Sequence, residues 1–336
     1  MLISAKYLSM IRAGLGLASL AYVGAAFPEP RNVAFFYGPA APIEQLQPYE
    51  WVVVQAGNFD RLAELKRQGG EAFAYVSIGE IEERHLRDPA VKPEWLIGRN
   101  DGWQSRVVDL TSRDLQRYML EKLMAPLWKS GYRAFFLDTL DSYQLAVKDE
   151  AGRAAQVDAL ADLIGQMHRR FPGVKLMFNR GFEVLPKVAP LCAGVAAESL
   201  FAGWDPSKST YRPVPEADRA WLLTKLQDIK ARYQLPIVVI DYLPLERADE
   251  AREVARKIRG LGFVPWISNP AFDKMGIGAE ARAQDSEAPQ PNQSNHVSRQ
   301  SVVGLPIMEA THIHFGSPNQ ETTSWLDRSP STTDRS

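Results

Sequence analysis

The sequence predicts a single-domain α/β protein, a (β/α)8 TIM barrel. Three observations predict it. Eight short apolar runs have the composition of buried parallel strands. Stretches with helix-period apolar stripes lie between most of them. The 336 residues leave room for the ~250 of such a barrel with a tail at either end.

The strands are expected at 33–37, 51–55, 72–77, 134–138, 174–179, 193–198, 237–241 and 263–268. Each is nearly continuous in apolar residues, as strands packed on both faces are. Helices are expected at 60–68, 111–130, 154–171, 215–233 and 245–261. The first stops at Gly69-Gly70 and the third at Pro172-Gly173, both stop signals. The long connection after the third strand holds Arg106-Val107-Val108-Asp109-Leu110. Placed in the sheet as a ninth strand, that run would open the barrel. The barrel domain is expected over residues 30–278.

The two ends read differently. Residues 1–26 have the form of a secretory signal peptide. Lys6 and Arg12 precede an apolar stretch, and Gly24, Ala25 and Ala26 supply a cleavage site. The alternative, a membrane anchor, is disfavoured because the run is short for a span of ~20 residues. The expected location is periplasmic or secreted. Residues 279–336 are polar, rich in Ser, Gln, Asn and Pro, and read as a disordered tail. His312 and His314 lie there without a third ligand in a fixed frame. Cys192 is the only cysteine. That excludes an intrachain disulfide, a cysteine zinc site and a lipid-bearing cysteine after the signal. The net charge of −1 gives no case for nucleic-acid binding.

Chemistry in such a barrel sits at the carboxyl ends of the strands. Here those ends carry Tyr37, Gln55, Ser77 with Glu80, Asp138, Asn179, Glu198, Asp241, and Ser268 with Asn269. A buried carboxylate is costly unless paired, solvated or functional. Four acids (Glu80, Asp138, Glu198 and Asp241) are expected to converge at one rim. Like charges held close raise at least one pKa, which makes a general acid available near neutral pH. Two acids facing each other across the mouth are what glycoside hydrolysis needs. Asp141 and Tyr143 stand just beyond Asp138. Tyr37, Tyr143, Phe182, Phe201, Trp204, Tyr242 and Trp266 are candidate platforms for sugar rings. No strand ends on a lysine or a histidine, and no glycine-rich phosphate loop follows a strand. No metal or cofactor is expected.

Four segments resemble the barrel glycosidases related to endo-α-1,4-polygalactosaminidase. They are Val33-Ala34-Phe35-Phe36-Tyr37-Gly38, Ala74-Tyr75-Val76-Ser77-Ile78-Gly79-Glu80, Phe136-Leu137-Asp138-Thr139-Leu140-Asp141 and Ala197-Glu198-Ser199-Leu200. The resemblance implies a (β/α)8 fold and endo-acting cleavage of an α-1,4-linked, partly deacetylated N-acetylgalactosamine polymer. It implies Asp138 and Glu198 as the catalytic pair. By analogy Glu198 is the acid and Asp138 the nucleophile or base, with the reverse assignment left open. Tyr37, Gln55, Ser77, Glu80, Asp141, Tyr143, Asn179, Trp204, Asp241, Tyr242, Trp266 and Asn269 are expected to bind substrate. The expected partners are a cationic amino-sugar polysaccharide and exopolysaccharide assembly proteins. The resemblance covers the barrel alone, so no deacetylase activity is expected. The alternative is a non-catalytic polysaccharide-binding barrel that assists export or modification.

Overall fold

The structure, a computed structural model, describes residues 28–279 apart from 56–60, 67–68 and 206. The expected signal peptide, the tail beyond Ala279 and its two histidines lie outside the described residues.

All eight expected strands form. In chain order the strands are β1 Val33–Phe36, β2 Trp51–Val54, β3 Glu71–Ser77, β4 Glu80–Glu82, β5 Leu96–Asn100, β6 Ser105–Val108, β7 Ala134–Asp138, β8 Lys175–Asn179, β9 Gly194–Glu198, β10 Ala202–Asp205, β11 Thr210–Pro213, β12 Ile237–Tyr242, β13 Val264–Ser268 and β14 Ile277–Gly278. The barrel sheet runs β1-β2-β3-β7-β8-β9-β12-β13-β14. Its first eight members are all parallel neighbours. The carboxyl ends of these strands therefore share one face.

The seam of the barrel differs from the expectation. β1 and β13 do not pair directly. The short β14 lies antiparallel on β13, with Trp266 opposite Gly278. On its other side, a Cβ at Gly278 would sit 3.3 Å from the Val33 carbonyl oxygen. The Tyr37 N–H donates to the Phe272 carbonyl at 2.7 Å. Residues 272–278 thus fill the gap between the first and last parallel strands. Gly276 is required there, because a Cβ would stand 2.4 Å from the Ile267 carbonyl oxygen.

The run at Arg106 to Leu110 does become a strand, but outside the barrel. It contributes β6 to a small antiparallel sheet in the order β4-β6-β5, inserted between β3 and β7. A hairpin of β10 and β11 follows β9.

Four of the expected helices lie where the apolar stripes put them, and of the first, expected over 60–68, the described residues show Leu62–Leu65. Asp149 starts one four residues early, because its carboxylate accepts the Gly152 N–H at 2.7 Å and caps the helix Glu150–Arg170. The helix before β7 passes through one wide π turn, Met119–Met124, just ahead of Pro126. A proline has no N–H to give the preceding turn, so the wider turn accommodates it. The barrel interior is packed solid. Phe35 meets Phe136 edge-on at 5.4 Å, and Trp51 meets Phe73 at 5.0 Å. Gly194 makes room for the Trp51 ring, which would lie 3.0 Å from a Cβ there.

Candidate active site

Side chains alternate between the two faces of a strand. Asp138 and Glu198 close β7 and β9 and are both half-buried. Asn179, which closes β8 between them, joins them. Its Nδ2 donates to Asp138 Oδ1 at 2.8 Å and to Glu198 Oε1 at 3.4 Å. Each acid also has its own tyrosine. The Tyr75 hydroxyl donates to Asp138 Oδ2 at 2.7 Å. The Tyr242 hydroxyl donates to Glu198 Oε2. Tyr37 packs edge-on against Tyr75 at 5.3 Å and lies close enough to feel both carboxylates.

Burial pushes the Glu198 pKa up, and the nearby Asp138 charge pushes it further. The hydrogen bonds from Tyr242 and Asn179 pull the other way, as does Arg180. Tyr37, Tyr75 and Tyr242 are raised well above 10, first by burial and then by the acids beside them. They stand as protonated donors at any ordinary pH.

The other two strand-end acids do not join this group. Asp241 is fully buried. It precedes Tyr242 on β12, so alternation sends it away from Glu198. Its carboxylate accepts three backbone N–H groups, from Leu200 at 2.6 Å, Phe201 at 2.8 Å and Ala202 at 2.8 Å. Burial pushes its pKa up to about 6 against those donors. Asp241 therefore braces the chain that leaves Glu198. Glu80 is also buried. It accepts from Asn100 Nδ2 at 2.9 Å, from Ser142 Oγ at 2.5 Å and from Ser105 Oγ. It ties the small inserted sheet to the loop after Asp138.

Ser77 belongs to the same clasp. Its hydroxyl lies 2.9 Å from both the Glu80 carbonyl oxygen and Thr139 Oγ1. The Gly79 N–H donates to Thr139 Oγ1 at 2.8 Å, and the Ile78 N–H to the Asp138 carbonyl at 3.0 Å. A Cβ at Gly79 would stand 2.0 Å from the Thr139 carbonyl oxygen. The Ser-Ile-Gly-Glu and Asp-Thr-Leu-Asp segments thus lock onto each other, and the lock fixes Asp138.

Two expected aromatic platforms are core. Trp266 is fully buried under β14, and Tyr49 packs edge-on against it at 5.7 Å. Tyr143 is buried at the foot of the loop after Asp138. Trp204 is half-buried on the β10–β11 hairpin, edge-on to Tyr211 at 4.8 Å. Asn269 turns its amide to Asp273 at 2.7 Å. Gln55 is half-buried at the end of β2. Asp141 is half-buried near Asp138, and burial pushes its pKa up to about 6 although Arg180 opposes the shift.

Tyr75 and Arg180 were not among the expected site residues. Alternation points to Tyr75, which shares a face of β3 with Ser77. Arg180 has φ of 56° and is followed by Gly181 at 64°. This left-handed turn lets its guanidinium reach back to the Glu198 carbonyl oxygen at 2.5 Å. Among the described residues no group of three or more His, Cys, Asp or Glu is placed to hold a metal ion. No helix among them is long and apolar enough to cross a membrane.

The glycoside hydrolase domain of PelA from Pseudomonas aeruginosa is 43% identical to this chain, with a TM-score of 0.69. The match covers 74% of this chain and 98% of that domain. Ega3 of Aspergillus fumigatus, solved in complex with galactosamine, is 14% identical with a TM-score of 0.54. It covers 78% of this chain and 100% of that one, and shares the fold. No curated protein sequence matches the chain. The family model of glycoside-hydrolase family GH114 matches residues 35–283. That match takes in every barrel strand but the first two residues of β1, and the chain belongs to family GH114.

Proposed function

We propose that this protein is an endo-acting glycoside hydrolase for α-1,4-linked, partly deacetylated N-acetylgalactosamine polymer, with Asp138 and Glu198 as its catalytic pair. The observation that carries this reading is the single Asn179 amide shared by both carboxylates. One nitrogen reaching an oxygen of each carboxylate keeps those two oxygens closer than the ~6.5–9.5 Å of inverting pairs, which favours the retaining mechanism.

Glu198 is the acid. Its raised pKa keeps a proton available to the leaving oxygen. Asp138 is the nucleophile. Like Glu198 it accepts a hydrogen bond on each oxygen and is held in one orientation, so the raised pKa of Glu198 is what divides the roles. It attacks the anomeric carbon as Glu198 protonates the glycosidic oxygen. Glu198, now a carboxylate, then takes a proton from the water that releases the sugar from Asp138. Tyr75, Tyr242 and Asn179 hold the pair in register, and Tyr37 stands beside them.

Acidic side chains among the loops of the rim favour a cationic substrate, with Arg180 the cation that acts on Glu198. Asp141 and Glu183 stand among the loops of β7 and β8, and Glu246 and Asp273 act on Tyr211 among those of β12 and β13. Binding should therefore weaken with salt. The signal-peptide reading of residues 1–26 assigns the enzyme to the periplasm or the exterior, where such a polymer occurs. The test is hydrolysis of purified galactosaminoglycan followed by NMR of the first-formed reducing ends. The expected product is the α anomer, released by the wild type and not by Glu198→Gln. A first-formed β anomer would overturn the role of Asp138, and full activity in Glu198→Gln would overturn the pair.

A further inference from the structure

An endo-acting enzyme must hold sugars on both sides of the bond it cleaves, so its apolar surface near the mouth carries information. Four large hydrophobic side chains are exposed among the described residues: Ile97, Trp103, Trp221 and Leu245. All four lie in segments that follow the carboxyl ends of barrel strands. Ile97 and Trp103 belong to the insert between β3 and β7. Leu245 lies just past β12. Trp221, at 46% the most exposed, lies in the second turn of the helix Glu216–Tyr233.

That helix buries Leu222, Leu226 and Ile229 against the barrel. Trp221 stands beside this stripe and has no part in the core. Its ring meets Phe182 instead, at 6.1 Å between centroids. Phe182 is three residues past Asn179, so its Cα is within ~11 Å of the Cα of the residue that joins the two acids. The loop that carries it is firmly seated. Arg180 and Gly181 turn in the left-handed region, and a Cβ at Gly181 would stand 2.8 Å from the Leu140 side chain. Leu140 lies in the loop after Asp138. The Phe182–Trp221 pair is therefore fixed to the same loops that carry the catalytic residues.

We propose that Trp221 and Phe182 form an aromatic subsite, on the same rim as the catalytic pair, that stacks a galactosamine or N-acetylgalactosamine ring of the bound polymer. The axial O4 of a galactose-type ring, which carries the α-1,4 linkage, leaves the opposite ring face rich in C–H bonds. An indole with one open side gives that face a flat apolar partner and keeps its polar edge in water. The subsite rests on the hydrolase reading above and extends it from a single bond to a chain of sugars. An open aromatic face on the rim of a polymer-cleaving barrel has a use that a core residue lacks. It adds affinity for long substrates without touching the reacting atoms.

The experiment compares Trp221→Ala and Trp221→Phe with the wild type, on long galactosaminoglycan and on a trimer of the same sugars. For Trp221→Ala the KM for the polymer should rise about tenfold, with kcat moving less than about twofold. The corresponding loss on the trimer should be several times smaller, and Trp221→Phe should recover most of the polymer affinity. Melting temperatures should agree within ~2 °C, as for an exposed substitution. Equal losses on polymer and trimer, or no change on either, would overturn the subsite. A binding arm separates this proposal from the hydrolase reading. Polymer affinity is measured for Glu198→Gln with and without Trp221→Ala. If the wild type cleaves nothing but Trp221→Ala weakens binding in this arm, the hydrolase reading fails and the subsite stands. If the wild type cleaves and Trp221→Ala binds as tightly as its parent, the subsite fails alone.

Discussion

Four acids stand at the ends of barrel strands or just beyond, and they divide into two pairs with opposite roles. Asp138 and Glu198 face each other across one shared amide and are half-buried. Glu80 and Asp241 are buried, and each binds three protein donors. The first pair has spare capacity toward the mouth. The second pair has its oxygens committed to holding loops. Position at a strand end is common to all four. What separates them is which way the strand points the side chain and how many donors the following loop offers. A carboxylate surrounded by backbone N–H groups is a structural part, whatever its place on the rim.

The contrast breaks most sharply under amide substitution. Glu198→Gln and Asp138→Asn should each lower kcat on the polymer by ~10³-fold or more, since proton transfer and nucleophilic attack are each lost outright. Their melting temperatures should stay close to wild type. Glu80→Gln and Asp241→Asn should show the reverse. An amide puts an N–H where a donor already points, which leaves buried groups unpaired at a cost of ~1–3 kcal/mol. For a domain of this size that lowers the melting temperature by roughly 3–10 °C. Activity measured well below the transition should fall by less than about tenfold. Calorimetry and reducing-end assays on the four purified variants separate the pairs. An inactive but fully stable Asp241→Asn would move Asp241 into the catalytic group.

Much of the fold was legible because buried parallel strands read as unbroken apolar runs, and all eight of them do. The seam was not legible. β14 has two residues, too few for any periodicity, and it is fixed by Gly276 and Gly278 passing over Trp266. The same cover explains why Trp266 reads as a platform and is core. At the site, the catalytic candidates were legible as acids closing apolar runs. The excess acids Glu80 and Asp241 were not separable by strand-end position alone. For Asp241 the distinguishing sign was nonetheless present. Asp241 and Tyr242 are adjacent on one strand, so only one of them can face Glu198. For Glu80 it was not, because its donors Asn100, Ser105 and Ser142 come from distant segments. Tyr75 follows from the same alternation as Tyr242, counted back from Ser77.

The tyrosines sharpen the comparison within the active pair. Tyr242 donates to Glu198 and thereby stabilises its charged form, lowering its pKa. Removing the hydroxyl should raise that pKa. In the proposed mechanism Glu198 is the acid and must hold its proton, and a higher pKa keeps the proton to higher pH. The alkaline limb of kcat/KM should therefore move up in Tyr242→Phe, with a rate loss of about tenfold at the optimum. Tyr75→Phe acts on Asp138 and should lower the rate by a similar factor while leaving the alkaline limb where it is. A limb that moves down in Tyr242→Phe, or moves equally in both variants, would break the assignment of Glu198 as the acid.

Asp141 tests the smallest difference, between an acid that is satisfied and one that is merely confined. It shares the loop of Asp138, and burial pushes its pKa up to about 6, from an ordinary 3.8. Its carboxylate has no set of backbone donors like that around Asp241. The folded protein thus holds a proton there between pH ~4 and ~6 that the unfolded chain has released. The stability this group contributes is full below pH ~4 and is lost as pH rises through about 6. Asp141→Asn carries no proton to lose. Its melting temperature should fall less steeply between pH 4 and 7 than that of the wild type. At pH 7 it should stand higher by ~2–4 °C, corresponding to ~1 kcal/mol. The slope should shrink rather than vanish, because Asp241 is pushed in the same direction. Parallel pH profiles for the two proteins would show that Arg180 compensates the Asp141 charge fully. Asp141 would then belong with the satisfied acids rather than the confined ones.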